Sequence, residues 1–161
     1  MLENLISPES VILELSSTDK DELFSELVEN LVRRNPSLDR AAVLKALYER
    51  EEQKNTYITT GVAVPHASIS SISKPEIVVG ISHSGIDYEI DGNLPSNKED
   101  LVHLVIMILF EPENAQDHLH MLADCAMLLN DSRFYREIMK ASDPQGVCNL
   151  IREVEYGRVG N

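Results

Sequence analysis

Apolar positions change period several times along this chain, and the period assigns most of its elements. Val11-Ile12-Leu13-Glu14-Leu15 reads as a short first strand. Ser17-Thr18-Asp19 then offers N-cap chemistry, and acids in the following turn suit the positive end of a helix dipole. Leu23, Phe24, Leu27, Val28, Leu31 and Val32 recur at helical spacing until Asn35-Pro36 ends the run. Asp39 caps a second helix with a stripe of Ala42, Val43, Ala46 and Leu47, ending near Lys54. Residues 58–64 predict the strand that presents His66, and a Ser-rich segment follows from Ser68 to Lys74. Glu76 to Ser82, with Ile77-Val78-Val79 at its centre, reads as a strand buried on both faces. Residues 86–90 are weakly strand-like, an edge, and Gly92 to Asp100 is a polar, turn-rich loop.

Leu101 to Phe110 is β-branched and apolar, which predicts the central strand. A helix follows over 115–129, with Ala115, Leu119, Leu122, Ala123, Ala126 and Leu129 on one face. Ser132 to Lys140 is another helix. Asp143-Pro144 starts the last one, with Val147, Leu150, Ile151 and Val154 as its buried stripe and fraying expected from Tyr156 onward. Helices and strands therefore intermix. The expected fold is α/β, a three-layer sandwich with a mixed central β-sheet and helices on both faces. One domain is expected over residues 1–161.

Charge narrows the function. The chain has 14 basic and 27 acidic residues, a net charge of −13. Nucleic acid and anionic membrane surfaces both need a basic face, so neither is an expected partner. A cytoplasmic protein that meets a basic partner surface is expected instead. Cys125 and Cys148 show neither metal-site spacing nor a disulfide framework and read as small buried hydrophobes in a reducing compartment. The longest apolar run, Leu104 to Phe110, is too short for membrane insertion, and no secretory signal opens the chain.

Chemistry concentrates at Gly61-Val62-Ala63-Val64-Pro65-His66. Gly61 admits a tight turn, and Pro65 fixes its own φ and extends Val64, so His66 stands on a stiff frame. There are four other histidines: His83, His103, His118 and His120. His118 and His120 point about 200° apart on a helix of about 3.6 residues per turn, so they cannot share one ion. No metal site or cofactor is expected. His118 falls on the core side near a helix start, where anions are favoured, and His120 points to solvent. His103, at the start of the central strand, and His83, in a loop after a strand, read as structural or exposed. Arg50, just before the approach to His66, can clamp a phosphate or carboxylate, or else pair with Glu49 or Glu52. Phosphate loops and nucleophile elbows are missing, which removes the signatures of nucleotide-dependent kinases and of hydrolases.

Arg50-Glu51-Glu52, Thr56 and the Gly61–His66 hexapeptide together resemble the phosphorylation-site motif of the type-2 enzyme IIA domains. This is the fructose/mannitol and nitrogen-type family of the phosphoenolpyruvate-dependent phosphotransferase system. Gly85-Ile86-Asp87-Tyr88, Asp91-Gly92, Phe110-Glu111-Pro112 and the segment from His118-Leu119-His120 to Leu129 resemble further family segments, so the likeness spans roughly residues 5–155. It implies that His66 accepts a phosphoryl group from the histidine-containing phosphocarrier protein. His118 would stabilise the transition state, Arg50 would clamp the phosphate, and Thr56 would hydrogen-bond in the same pocket. The recipient would be a transporter IIB domain or a regulatory protein partner. A free-standing chain leans toward the nitrogen-regulatory type. Three features depart from the family pattern: Thr59-Thr60 stands where a glycine is usual, Ala67 follows the histidine, and the segment from Asn93 to Asp100 is longer.

Overall fold

The computed structural model describes residues 1–89 and 100–159, the last two by backbone alone. Asp91-Gly92 and the segment from Asn93 to Glu99, singled out above, lie outside the described residues. Among the described residues, six strands form one mixed sheet: β1 (Val11–Ile12), β2 (Tyr57–Thr59), β3 (Val62–Ala63), β4 (His66–Ser68), β5 (Glu76–Ile86) and β6 (Val102–Phe110). Their order is β1-β5-β6-β3-β2, and β4 also pairs with β6. Strands β3 and β4 follow one another along a single edge of β6, both parallel to it, while β5 lies antiparallel on the other edge. The helices are α1 (Lys20–Arg34), α2 (Arg40–Gln53), α3 (Ala115–Leu129), α4 (Phe134–Ile138) and α5 (Pro144–Val159).

The three-layer sandwich follows from the alternation along β6. Val105, Met107 and Leu109 join the core with Leu23, Phe24, Leu27 and Leu47 of α1 and α2. Leu104, Ile106, Ile108 and Phe110 join the opposite core with Leu128, Phe134, Val147 and Ile151 of the closing helices. Both faces are covered, which is why β6 reads as an unbroken apolar run. Asp19 caps α1 by accepting from the Glu22 amide, and Asp39 caps α2 by accepting from the Ala41 and Ala42 amides, both as expected.

Several boundaries differ from the sequence expectation. The first strand covers only Val11–Ile12, because β1 pairs with β5 at those two positions alone. Residues 58–64 do not form one strand but a hairpin, β2 turning into β3, and His66 opens a strand of its own. Strand β5 runs to Ile86, so His83 sits within a strand and not in a loop. Among the described residues no edge strand follows it, and Asp87 makes a bridge to Asp19 instead. Helix α4 is five residues, shorter than 132–140, and α5 continues past Tyr156 to Val159.

On α2, Ala42 is exposed and Val43 and Leu47 carry the burial. The stripe of α3 is also turned. Ala115, Leu119, Ala123 and Ala126 are exposed, Leu119 at 67%. His118, Leu122 and Leu129 pack inward as expected, and Met121, Cys125 and Leu128 join them there. Alanine tolerates water as well as core, so counting it as apolar rotated the expected face.

Candidate functional site

The site is built at the carboxyl end of β6. Gly61, at φ 80°, makes the β2–β3 turn, and its carbonyl accepts from the His103 and Leu104 amides at 2.8 and 3.0 Å. That anchors the hairpin on the central strand. Pro65 then steps the chain along the same edge, and its carbonyl accepts from the Ile108 amide at 3.0 Å. His66 emerges opposite Ile108 as the first residue of β4.

His66 is half-buried, and its Nδ1 lies 2.8 Å from the Val64 carbonyl oxygen. A carbonyl only accepts, so Nδ1 carries the hydrogen and Nε2 of the neutral ring carries the lone pair. Burial pushes the His66 pKa below its ordinary value; the Val64 hydrogen bond opposes this, Arg50 adds to it and Glu51 opposes it. The ring therefore favours the neutral, nucleophilic form.

A cavity of about 270 Å³ opens beside His66, lined also by Ala46, Glu49, Arg50, Gln53 and Phe110. The last turn of α2 thus supplies the cationic wall. Arg50 donates from Nη1 to the Lys54 carbonyl at 2.7 Å, which braces the guanidinium where α2 ends. A larger cavity of about 570 Å³, lined by Met127, Arg133 and Glu153 among others, contains none of the expected site residues and lies between α3 and α5.

His118 reaches the site through Phe110. The two rings stack at 4.3 Å and 22°, while Phe110 meets His66 edge-on at 6.4 Å and 75°. His118 Nε2 is 3.7 Å from Glu111 Oε1, and each side chain is 13% exposed. Neither Nε2 of His118 nor Oε2 of Glu111 has a hydrogen-bond partner among the described residues. His120 is exposed, as expected. His103 Nδ1 lies 2.8 Å from the Ser82 carbonyl, so it donates there and serves the fold.

Thr56 is placed behind this cavity and not in it. It is 3% exposed. Its amide and hydroxyl donate to the two oxygens of Glu51 at 3.0 and 2.6 Å, and its oxygen lies 2.6 Å from the Tyr88 hydroxyl. Lys20 completes the cluster, 3.3 Å from Glu51 and above the Tyr88 ring at 4.5 Å. Sequence reasoning thus brought His66 and Arg50 to one cavity, placed His118 one ring away, and missed Phe110, Glu51, Tyr88, Lys20 and Glu111 as neighbours. Glu51, Tyr88, Phe110 and Glu111 stand in the segments that resemble the family, which was the available signal, and Lys20 had none. Among the described residues, no group of three or more His, Cys, Asp or Glu side chains can hold a metal ion, and no helix is long and apolar enough to cross a membrane.

Comparison with known proteins places the chain in a class. The profile of the family described as phosphoenolpyruvate-dependent sugar phosphotransferase system, EIIA 2, matches residues 4–154, and the chain belongs to that family. It is 31% identical over 116 residues to the fructose-specific EIIA component of Haloferax volcanii, covering 72% of this chain and 71% of that one. It is 28% identical to a nitrogen regulatory protein of Bradyrhizobium diazoefficiens over 92% of each chain. With the fructose-specific EIIABC component of Bacillus subtilis it is 29% identical over 92% of its own length, but spans only 22% of that protein.

Among solved structures, the nitrogen regulatory protein IIA-Ntr of Neisseria meningitidis has a TM-score of 0.81 at 21% identity, covering 93% of this chain and 98% of that one. The mannitol enzyme IIA of Escherichia coli, solved in complex with phosphorylated mannitol enzyme IIB, has a TM-score of 0.71 at 19% identity, covering 91% and 96%. These two likenesses establish the shared fold.

Proposed function

We propose that this chain is a phosphohistidine carrier, with Nε2 of His66 as the acceptor atom. The observation that carries the proposal is the 2.8 Å contact from His66 Nδ1 to the Val64 carbonyl, which leaves Nε2 unprotonated beside a cavity walled by Arg50. In the transfer, the N–P bond of a phosphohistidine on the histidine-containing phosphocarrier protein breaks and its electron pair returns to the donor ring. The Nε2 lone pair forms the new N–P bond, and the Nδ1 proton stays in place. Charge spreads over the three equatorial oxygens of the transferring group. Arg50, which lines the cavity, neutralises it directly, and His118 supports the site through its stack on Phe110. Removing one such group typically costs about 3 kcal/mol of barrier, roughly 100-fold in rate. Thr56 acts from behind, through the hairpin.

The downstream role follows the relatives. A nitrogen-regulatory function, in which the phosphorylation state controls a protein partner, is favoured by the Bradyrhizobium relative matched over 92% of both chains. The second reading, a sugar-specific component that donates to a transporter IIB domain, is favoured by the fructose-specific relatives.

The test is phosphoryl transfer from phosphoenolpyruvate through enzyme I and the phosphocarrier protein. An acid-labile, base-stable phosphate on the wild type, absent from His66→Ala and about 100-fold slower to form on Arg50→Ala, is expected. No label on the wild type with a cognate donor overturns the carrier role. Adding IIB domains to the labelled chain then separates the two downstream readings.

A further inference from the structure

Three hydrogen-bonded links connect a buried carboxylate to the acceptor imidazole. Glu51 holds the amide and hydroxyl of Thr56 at 3.0 and 2.6 Å. The Thr56 carbonyl accepts from the Val64 amide at 2.9 Å. The Val64 carbonyl accepts from His66 Nδ1 at 2.8 Å. We propose that Glu51 is a positioning residue, which through Thr56 holds the β2–β3 hairpin so that the Val64 carbonyl fixes His66 in its Nδ1–H tautomer. The inference rests on His66 being the acceptor.

The groups around Glu51 satisfy one another. The Glu51 side chain is 7% exposed and that of Lys20 12%. The Thr56 hydroxyl proton goes to Glu51, so the Tyr88 hydroxyl donates to Thr56 in their 2.6 Å contact. Stability alone does not account for such an arrangement, because a buried ion pair can often be exchanged for well-packed apolar residues at no loss. Its location does. Glu51 is the next residue to Arg50 on α2, so one carboxylate ties the helix carrying the cationic wall to the strand pair that delivers the nucleophile. A neutral imidazole has two tautomers, and only Nδ1–H leaves the Nε2 lone pair to attack. If the Val64 carbonyl drifts, both tautomers populate and the reactive fraction falls. Glu51 touches neither the phosphoryl group nor the reacting nitrogen.

The tautomer is read directly from ¹⁵N shifts of the His66 ring in the unphosphorylated 161-residue chain. The wild type is expected to show a protonated Nδ1 and an unprotonated Nε2. In Glu51→Gln and Thr56→Val, the two signals are expected to move toward each other, and phosphoryl transfer to fall about 10–100-fold, the range for residues that orient a functional histidine from behind. Thr56→Ser keeps the oxygen and is expected to restore both readouts. Wild-type tautomer signals in Glu51→Gln or Thr56→Val overturn the inference, whether or not the rate falls. The Thr56→Ser and Thr56→Val pair decides the matter should Glu51→Gln fail to fold. A wild type that takes up no phosphate overturns the carrier reading instead, while the ring shifts still report on Glu51.

Discussion

At the scale of single residues, the proposed carrier role depends on keeping one imidazole neutral. Burial is the largest influence on His66 and lowers its pKa, and Arg50 adds to that. The unfolded chain has the ordinary histidine value near 6.5, so it takes up a proton first as the pH falls. His66 therefore costs stability progressively below about pH 6.5, down to its lower folded value, after which the cost is constant. The same shift keeps Nε2 available in mild acid. We expect the acid limb of phosphoryl acceptance, and the midpoint of the His66 Cε1–H titration by NMR, both to fall below about pH 6.5. A midpoint at or above that value would show that the ring does not sense its burial.

Tyr88 offers a second check at this scale. It is fully buried, and its hydroxyl serves Thr56. Tyr88→Phe keeps the ring under Lys20 but removes that donor, and about 1 kcal/mol of stability should be lost in urea unfolding. The sequence made His66 legible because Gly61 and Pro65 act locally on the backbone. The Glu51–Thr56–Tyr88 cluster joins residues up to 37 positions apart with no shared period, so nothing local announced it.

At the scale of elements, the hairpin and α3 make the sharpest claims. Gly61 has φ 80°, and a Cβ there would lie 2.7 Å from the Tyr135 hydroxyl of α4. Gly61→Ala is expected to cost roughly 1–2 kcal/mol for the left-handed backbone, with more where Tyr135 cannot move. It also shifts the carbonyl that both His103 and Leu104 hold, so His66 should show altered ring shifts. On α3 the register decides between two faces. Leu128 is fully buried and Leu119 is 67% exposed. Leu128→Ala should cost about 2–5 kcal/mol and Leu119→Ala within about 0.5 kcal/mol of nothing, measured by chemical denaturation. Equal costs would restore the stripe that the sequence suggested. The helix itself was legible to the residue, 115–129, because its bounds follow from local signals. Its facing was legible only for His118, Leu122 and Leu129, because Ala115, Ala123 and Ala126 blur the period, apolar in composition while standing in water. Strand β5 was read short for a different reason: His83, Ser84 and Gly85 look like a loop, yet the ladder to β6 resumes past them at Ile86.

At the scale of the whole molecule, the sheet explains why distant residues meet. Helix α2 ends just before the hairpin, β4 opens beside the end of β6, and α3 starts just after it. Arg50, His66 and His118 therefore converge at the carboxyl end of the central strand, where open α/β sheets commonly place their ligands. Around that point lies a chain of net charge −13, so the approach of any partner is electrostatic at long range. A donor with a basic docking face is drawn in, and screening weakens the attraction as the Debye length shrinks from about 30 Å at 0.01 M to about 3 Å at 1 M salt. The second-order rate of phosphoryl transfer should fall across that range, since steered association loses its advantage in salt. The first-order step inside the complex should hold, because donor and acceptor are then already in contact and long-range steering no longer limits the rate. Stopped mixing at limiting and at saturating donor separates the two rates. A second-order rate that stays flat or rises with salt would mean that apolar contact, and not the acidic surface, recruits the donor.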